Sequence, residues 1–564
     1  MTAIAGQLRR CEVTGLRVDR SAERLIKANA VTAVLYLGFG GVLALLIALT
    51  RWEAVHLLPL QQFYELVGAH GATMLIFWIL FFEVAGLIFG GTVLLSVPMI
   101  APSVGWVAYG LMLVGSLTAE AMMLTGRATV MFTMYPPLEA SPWFYLGVLG
   151  FAVGALLAVV HFLINVVAAR LRGDEKTLPL FTFGMVAAAI LALFTLFSGT
   201  AAILPLYLWS IDIIPSVDPG VYRLLYWGFG HGAQQVNLAA MVAIWYGLAS
   251  LTVGAKPLNE GLSRFAFLLY ILFIQLGSMH HLLVDPGLST WARGMNASYF
   301  MYAAVLGSMI HAFTIPASVE VGLREQGHRR GLFGWLRGAP WGEPGFSSLV
   351  VSILLFGVMG GISGVIMGGM QVNMIAHNTL IVPAHFHMTV VAGTTLAFMG
   401  IAYYLVPLVF QRQLVFPRWA KLQPYVFGTG MAIFGLGMGY AGHEGLPRRS
   451  WDITFSGAPL ASNVFDTVTV DVSLAVMAVG AILAVTGGAM FVVNIGVTVF
   501  LGRRTAVPDL GRVMPEAFGA LPAVPAPITG GSGPAEEVEP RRHGLEAPGA
   551  FILAGVWLAL FVVL

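Results

Sequence analysis

Apolar runs long enough to cross a bilayer follow one another along nearly the whole of this 564-residue chain. In hydrocarbon every backbone N–H and C=O must be paired inside its own helix or in a closed barrel. Each run holds about 20 apolar residues, the length a spanning helix needs, so the predicted fold class is an all-α integral membrane bundle of about 12–13 transmembrane helices. The composition agrees: 58% of residues are hydrophobic and 10% charged, well outside the soluble globular range. Helix centres are predicted near Phe39, Phe82, Leu113, Ala155, Leu191, Leu238, Leu272, Leu306, Phe356, Val391, Phe434, Gly480 and Trp557.

Net charge is +2, which gives no reason to expect nucleic acid. The placement of charge is more informative. Basic residues cluster at Arg9, Arg10, Arg17, Arg20, Arg24 and Lys27, then at Arg170/Arg172/Lys176, Arg324/Arg329/Arg330/Arg337, Arg412/Arg418/Lys421 and Arg503/Arg504. With a cytoplasmic N-terminus all of these loops fall inside, as the positive-inside rule requires. The start reads as a basic tail rather than a cleaved signal peptide. The organisation predicted is a cytoplasmic tail over 1–27, a catalytic transmembrane core over 28–501, a Pro/Gly-rich cytoplasmic loop over 502–548 and a last transmembrane helix over 549–564. The 67 glycines suit close helix–helix approach in lipid. The lone cysteine, Cys11, excludes disulfides and cysteine-based copper or iron–sulfur sites within the chain.

Histidines carry the chemistry. His70, His231, His280, His281, His385 and His387 sit within or at the ends of apolar segments. Imidazole is costly in hydrocarbon unless something compensates it, and neutral imidazole is the commonest metal ligand among side chains. His385 and His387 are two residues apart, so on an α-helix, at roughly 100° per residue, they point to nearly opposite sides. They suit two different hemes better than one shared ion. His70 lies at matching depth and can pair with one of them. His280 and His281 diverge on a regular helix but can turn onto one ion at a fraying end, with His231 at the same depth as a third ligand.

These pieces together resemble the catalytic subunit of the heme–copper oxidase superfamily. The matching segments are Gly68-Ala69-His70-Gly71, Trp227 with Gly230-His231, His280-His281, His385 with His387, and Pro447-Arg448-Arg449, in order between roughly Lys27 and Phe500. The lead-in His377-Asn378-Thr379 looks like the B-type members. The resemblance implies two hemes of unspecified type and one non-heme metal. His70 and His387 would be axial ligands of a low-spin heme, His385 the proximal ligand of a high-spin heme, and His231, His280 and His281 the ligands of the metal. Arg448 and Arg449 would meet heme propionates, with His377 nearby, because guanidinium groups pair well with carboxylates. It also implies the prokaryotic cytoplasmic membrane, hemes toward the outer side, and a membrane-anchored electron-donor subunit, either cupredoxin-like with dinuclear copper or a cytochrome c.

One position departs from that family's oxygen reductases. Many of them carry a tyrosine four residues after the sixth-helix histidine, and this chain has Gln235 there. Residues four apart share a helix face, so Gln235 is predicted to point at the metal held by His231. A carboxamide has no phenol-like redox chemistry, but it can hydrogen-bond or coordinate weakly through its oxygen. Nitric oxide reductases of the superfamily use a glutamate on a non-heme iron, and Gln235 resembles a neutral version of it. The expected activity is reduction of two NO to N₂O and water with two electrons and two protons, iron being favoured over copper, although three imidazoles also suit copper. The alternative is a terminal oxygen reductase, for which Tyr226, Tyr299 or Tyr302 would have to supply the phenol. NO dismutation is disfavoured by the retention of all three metal-site histidines. A proton-relay transporter is the reading from another class, and the paired interrupted helices typical of transporters are not evident.

Protons must reach such a site. Tyr246, Ser308, His311 and Thr314 are polar residues in the predicted cytoplasmic half of helices six and eight, and Glu83 lies deep in helix two. An acid at that depth is expensive, which makes it a candidate for proton transfer.

Overall fold

The structure is a computed structural model, and it describes residues 8–173, 177–455, 464–511 and 547–563. All thirteen predicted centres fall inside helices: α1 (Arg20–Arg51), α2 (Leu60–Val93), α3 (Pro102–Leu124), α4 (Pro142–Leu171), α5 (Leu180–Ser210), α6 (Pro219–Val253), α7 (Glu260–Leu276), α8 (Tyr299–Glu325), α9 (Pro344–Gly368), α10 (Ile381–Phe410), α11 (Pro417–His443), α12 (Val468–Leu501) and α13 (Pro548–Val563). Ten helices among the described residues are long and apolar enough to cross a membrane, and α7, α11 and α13 are shorter or more polar.

The N-terminal boundary differs from the expected one. Residues 8–19 form a small hairpin, β1 (Leu8–Arg10) antiparallel to β2 (Arg17–Asp19), with Arg9 opposite Val18. Helix α1 then begins at Arg20, not at residue 28, because the Asp19 carboxylate caps it by accepting from Ser21 N and Ala22 N. The basic stretch from Arg20 to Lys27 is therefore its first two turns, where Glu23 pairs with both Arg9 and Lys27. At the other end α12 stops at Leu501, and most of the Pro/Gly-rich loop (512–546) lies outside the described residues.

Small residues set the closest helix contacts, as expected where lipid gives no hydrophobic drive to association. A Cβ at Gly480 on α12 would stand 2.2 Å from Phe434 N on α11, and one at Gly115 on α3 would stand 2.5 Å from Gly147 O on α4.

Four turns are π-helical: Thr73–Phe77 and Phe89–Val93 in α2, Leu355–Gly361 in α9 and His387–Thr395 in α10. Such turns gather at functional sites because one extra residue re-aims the side chains around it. Three of them border a central cavity of about 650 Å³. The last helix closes part of that cavity. Both Glu320 carboxylate oxygens on α8 accept from the first amides of α13, at Gly549 and Ala550. Further along α13, Trp557 Nε1 donates to Gly357 O and its ring lines the cavity.

Candidate functional site

All six histidines singled out from the sequence line this one cavity. Helix α7 ends at Leu276 and a tight turn, Ser278–Leu282, follows, so His280 and His281 escape the divergence of a regular helix. With His231 on α6 they place one nitrogen each within 4.8 Å of one another. His231 Nδ1 lies 3.3 Å from His281 Nε2. The Trp227 indole lies on the opposite face of the same corner, with its ring stacked on His281.

Four of the six, His280 among them, share a different device. His280 Nδ1 donates to Gly277 O at 2.6 Å, His70 Nδ1 to Gly40 O at 3.1 Å, His387 Nδ1 to Pro383 O at 2.7 Å and His385 Nδ1 to Gly360 O at 2.9 Å. A carbonyl accepts only, so each ring is held as the tautomer whose Nε2 keeps its lone pair free. That is how outer partners orient metal-binding imidazoles. His385 also lies 3.2 Å from Ser363 Oγ, and its ring rests on Gly364, where a Cβ would come within 2.6 Å of Cε1. His70 and His387 face each other with ring centres 6.5 Å apart and planes within 14°.

The arginines form a lid over the cavity. Arg448 N donates to Asn378 O, which ties the segment after α11 to the His377 loop. His377 lines the cavity beside it. Arg51 Nη2 donates to Arg448 O, Tyr64 OH donates to Arg449 O, and Arg449 Nη2 donates to Thr133 Oγ1. The Nε atoms of Arg448 and Arg51 are buried with no partner among the described residues. Burial, with neighbouring Arg449, pushes the Arg448 guanidinium down to about 10, so it stays charged at neutral pH.

Gln235 lies one turn past His231 and lines the same cavity, as does Gln234. The three tyrosines offered from the sequence do not serve. Tyr299 and Tyr302 are exposed, and Tyr226 OH donates to Phe132 O. The phenols that do line the cavity are Tyr135, which accepts from Trp227 Nε1, and Tyr270, bonded to Ser308 Oγ.

The polar residues divide into two groups. Tyr246 OH is hydrogen-bonded with Ser263 Oγ, His311 Nδ1 and Thr314 Oγ1 at 2.8–3.0 Å. Ser308 joins through Tyr270, whose ring packs on His311, and Tyr270, Ser308 and His311 reach the central cavity. Glu83 stands apart, buried on α2. With the Asn237 amide turned to donate, its nitrogen is 2.9 Å from Glu83 Oε1. Glu83 borders a separate apolar cavity of about 40 Å³.

Sequence reasoning missed Arg51, Ser263, Tyr270 and Asn237. Tyr270 sits alone in an apolar run, Arg51 and Ser263 lie at the ends of such runs, and Asn237 follows Gln235 by two residues without itself completing a recognisable pattern. The available signal was intramembrane polarity itself, most plainly the arginine at the end of the first run.

Residues 24–483 match the family model for cytochrome c and quinol oxidase polypeptide I. The chain belongs to that family. It is 31% identical over 401 residues to cytochrome c oxidase subunit 1 of Thermus thermophilus, covering 70% of each chain. It is 25% identical over 477 residues to cytochrome c oxidase subunit 1 of Synechocystis, covering 79% of this chain and 78% of the relative. Among solved structures, a heme–copper terminal oxidase dimer superposes with a TM-score of 0.81 at 25% identity, covering 96% of this chain and 92% of that one. The chain is thus an integral membrane subunit of the heme–copper oxidases, a family of oxidoreductases that bind hemes and a copper or other metal centre and work with electron-donor partners.

The residues present fit those groups. Four imidazoles are pre-set with free Nε2 atoms, and His231, His280 and His281 converge as a three-nitrogen donor set. A metal–imidazole bond of about 2 Å on each side, plus two ring radii, spans a gap like that between His70 and His387. The Nε atoms of Arg448 and Arg51, buried without partners among the described residues, suit acidic groups such as heme propionates.

Proposed function

We propose that the chain is the catalytic subunit of a membrane-bound nitric oxide reductase, taking two NO, two electrons and two protons to N₂O and water. The observation that carries this is Gln235. At the position one turn beyond His231, on the cavity wall, the side chain is a carboxamide and not a phenol. Four-electron cleavage of O₂ draws on an organic electron source beside the metal, whereas reductive coupling of NO does not.

In this reading His70 and His387 would hold the low-spin heme, His385 the high-spin heme, and His231, His280 and His281 a non-heme metal, with iron favoured because Gln235 would offer a hard oxygen beside three nitrogens. When bound, these groups supply electron transfer and the binding of NO. The chain's own part is positional and electrostatic. The backbone carbonyls of Gly40, Gly277, Gly360 and Pro383 fix the tautomers. Arg448 and Arg449 neutralise propionates at the cavity roof. Gln235 would offer its carbonyl oxygen to the metal or its N–H to the substrate. Protons arrive through Ser263, Tyr246, Thr314 and His311, then Ser308 and Tyr270, an array of hydroxyl and imidazole groups that ends on the cavity. Glu83, with Asn237 beside it, is a second proton-holding site behind α6. Electrons come from a membrane-anchored donor subunit on the outer side, with the N-terminus cytoplasmic.

A second reading, an oxygen reductase, is favoured by the oxidase relatives and by the phenol of Tyr270 on the cavity wall. Turnover of the purified complex with NO and with O₂, side by side and with iron and copper assayed, separates the two. N₂O formation with iron in excess of the heme complement supports the reductase. Rapid O₂ consumption with NO untouched overturns it.

A further inference from the structure

A second line of polar groups, separate from the Tyr246 cluster, runs between α1 and α3. On α1, Thr32, Tyr36 and Gly40 recur every four residues, so they share one face. On α3, Tyr109, Ser116 and Glu120 also fall on one face, and the two faces meet. Thr32 Oγ1 and Tyr109 OH are 3.0 Å apart, and Tyr36 OH donates to Ser116 Oγ at 2.8 Å. At the far end Glu120, only 5% exposed, accepts from the hydroxyl of Thr73, which is fully buried on α2. The other Glu120 oxygen, Oε2, is buried with no partner among the described residues.

Thr73 links that carboxyl to the candidate low-spin heme site. It opens the π-helical turn that begins three residues after His70. Its methyl group packs 3.0 Å from where a Gly40 Cβ would stand, and Gly40 O is the acceptor for His70 Nδ1. The order from carboxyl to ligand is therefore Glu120, Thr73, Gly40, His70, with no charged side chain between. Of the titratable groups on the neighbouring elements, Tyr36 on α1 faces Glu120. Helix α4 sets Gly147 and Phe151 against this stretch of α3. An unpaired carboxyl oxygen in low dielectric is costly when ionised, and a nearby gain of negative charge makes ionisation costlier still.

We propose that Glu120 takes up a proton when the low-spin heme is reduced and releases it on reoxidation. This rests on the reading of His70 as a ligand of that heme. The step balances: one electron from an external one-electron donor converts Fe(III) to Fe(II), and one solvent proton converts the Glu120 carboxylate to the acid. Tyr36, Ser116, Thr32 and Tyr109 supply the hydroxyls along which the proton travels. Glu120 is a positioning and charge-compensating residue and touches no substrate.

The test is a spectroelectrochemical titration of the low-spin heme in the intact purified complex between pH 6 and 9, as about the range in which such coupling is read. One coupled proton makes the potential fall with rising pH, by at most about 59 mV per tenfold change in proton concentration for one electron. Glu120→Gln keeps the size and the acceptor for Thr73 and is expected to flatten that slope, whereas Glu120→Asp retains most of it. A carboxylic C=O band that appears on reduction in the infrared difference spectrum is expected to vanish in Glu120→Gln. An unchanged slope in Glu120→Gln, or a pH-independent potential in the parent protein, overturns the proposal while leaving the heme assignment standing. A low-spin spectrum that survives His70→Ala defeats the ligand reading instead, and this proposal with it.

Discussion

The Trp227 indole and the His281 imidazole lie face to face, with ring centres 4.0 Å apart and planes 5° from parallel. Among the described residues no backbone carbonyl bonds His281 Nδ1 as one does in His70, His280, His385 and His387, so the stacked indole, with His231 beside Nε2, orients it. Trp227 is in turn held by its Nε1–H donating to Tyr135 OH. Trp227→Leu is expected to lower metal affinity at the three-histidine site by roughly 10- to 100-fold, the usual cost of losing an orienting partner. Metal analysis after dialysis against a chelator reads this directly. The low-spin heme spectrum should not change.

Gln235→Ala is expected to reduce N₂O formation by about tenfold or more, equivalent to roughly 1.4 kcal/mol or more of lost transition-state stabilisation. The optical spectrum of the low-spin heme stays intact. Gln235→Tyr does not create an oxygen reductase, because a phenol at this position also needs close placement against a ligand histidine. Full N₂O turnover in Gln235→Ala would remove Gln235 from the site's chemistry.

Removing the Tyr246 hydroxyl leaves Ser263, His311 and Thr314 without their shared partner. Tyr246→Phe is expected to cost about 1–3 kcal/mol of stability from unsatisfied buried groups. It should also slow turnover and enlarge the solvent isotope effect. A destabilised variant with unaltered turnover and isotope effect would mark the cluster as helix-to-helix glue only.

Gly364→Ala puts a methyl group 2.6 Å from His385 Cε1, beneath a ring fixed from above by Gly360 O. The ring must shift away from the methyl group, which strains the hydrogen bond that fixes it. The expected outcome is loss of the high-spin heme with the low-spin heme retained, measured as the pyridine hemochrome content per chain. Two hemes per chain in Gly364→Ala would contradict the placement of His385.

Hydropathy made the helices legible. Every predicted centre, from Phe39 to Trp557, falls in a helix because about 20 consecutive apolar residues leave the backbone no other solution. The histidines were legible for the same reason, each being an expense in lipid. What stayed hidden was local. The start of α1 moved to Arg20 through the Asp19 cap, a one-residue effect beneath a charge pattern that read as tail. The π-helical turns at Thr73 and His387 reflect a change of hydrogen-bond partner that composition does not mark. Tyr270 and Ser263 were missed because single hydroxyls are common between membrane helices, and only their convergence with Tyr246 and Ser308 sets them apart.

The clamp that Glu320 places on the start of α13 has a consequence for how the protein is built. Of the described helices α13 is the last to leave the ribosome, and it brings Trp557 to the cavity wall. Until it docks, Gly357 O lacks its Trp557 donor and the cavity wall lacks that indole, so the chamber is complete only when the chain's far end has folded back onto it.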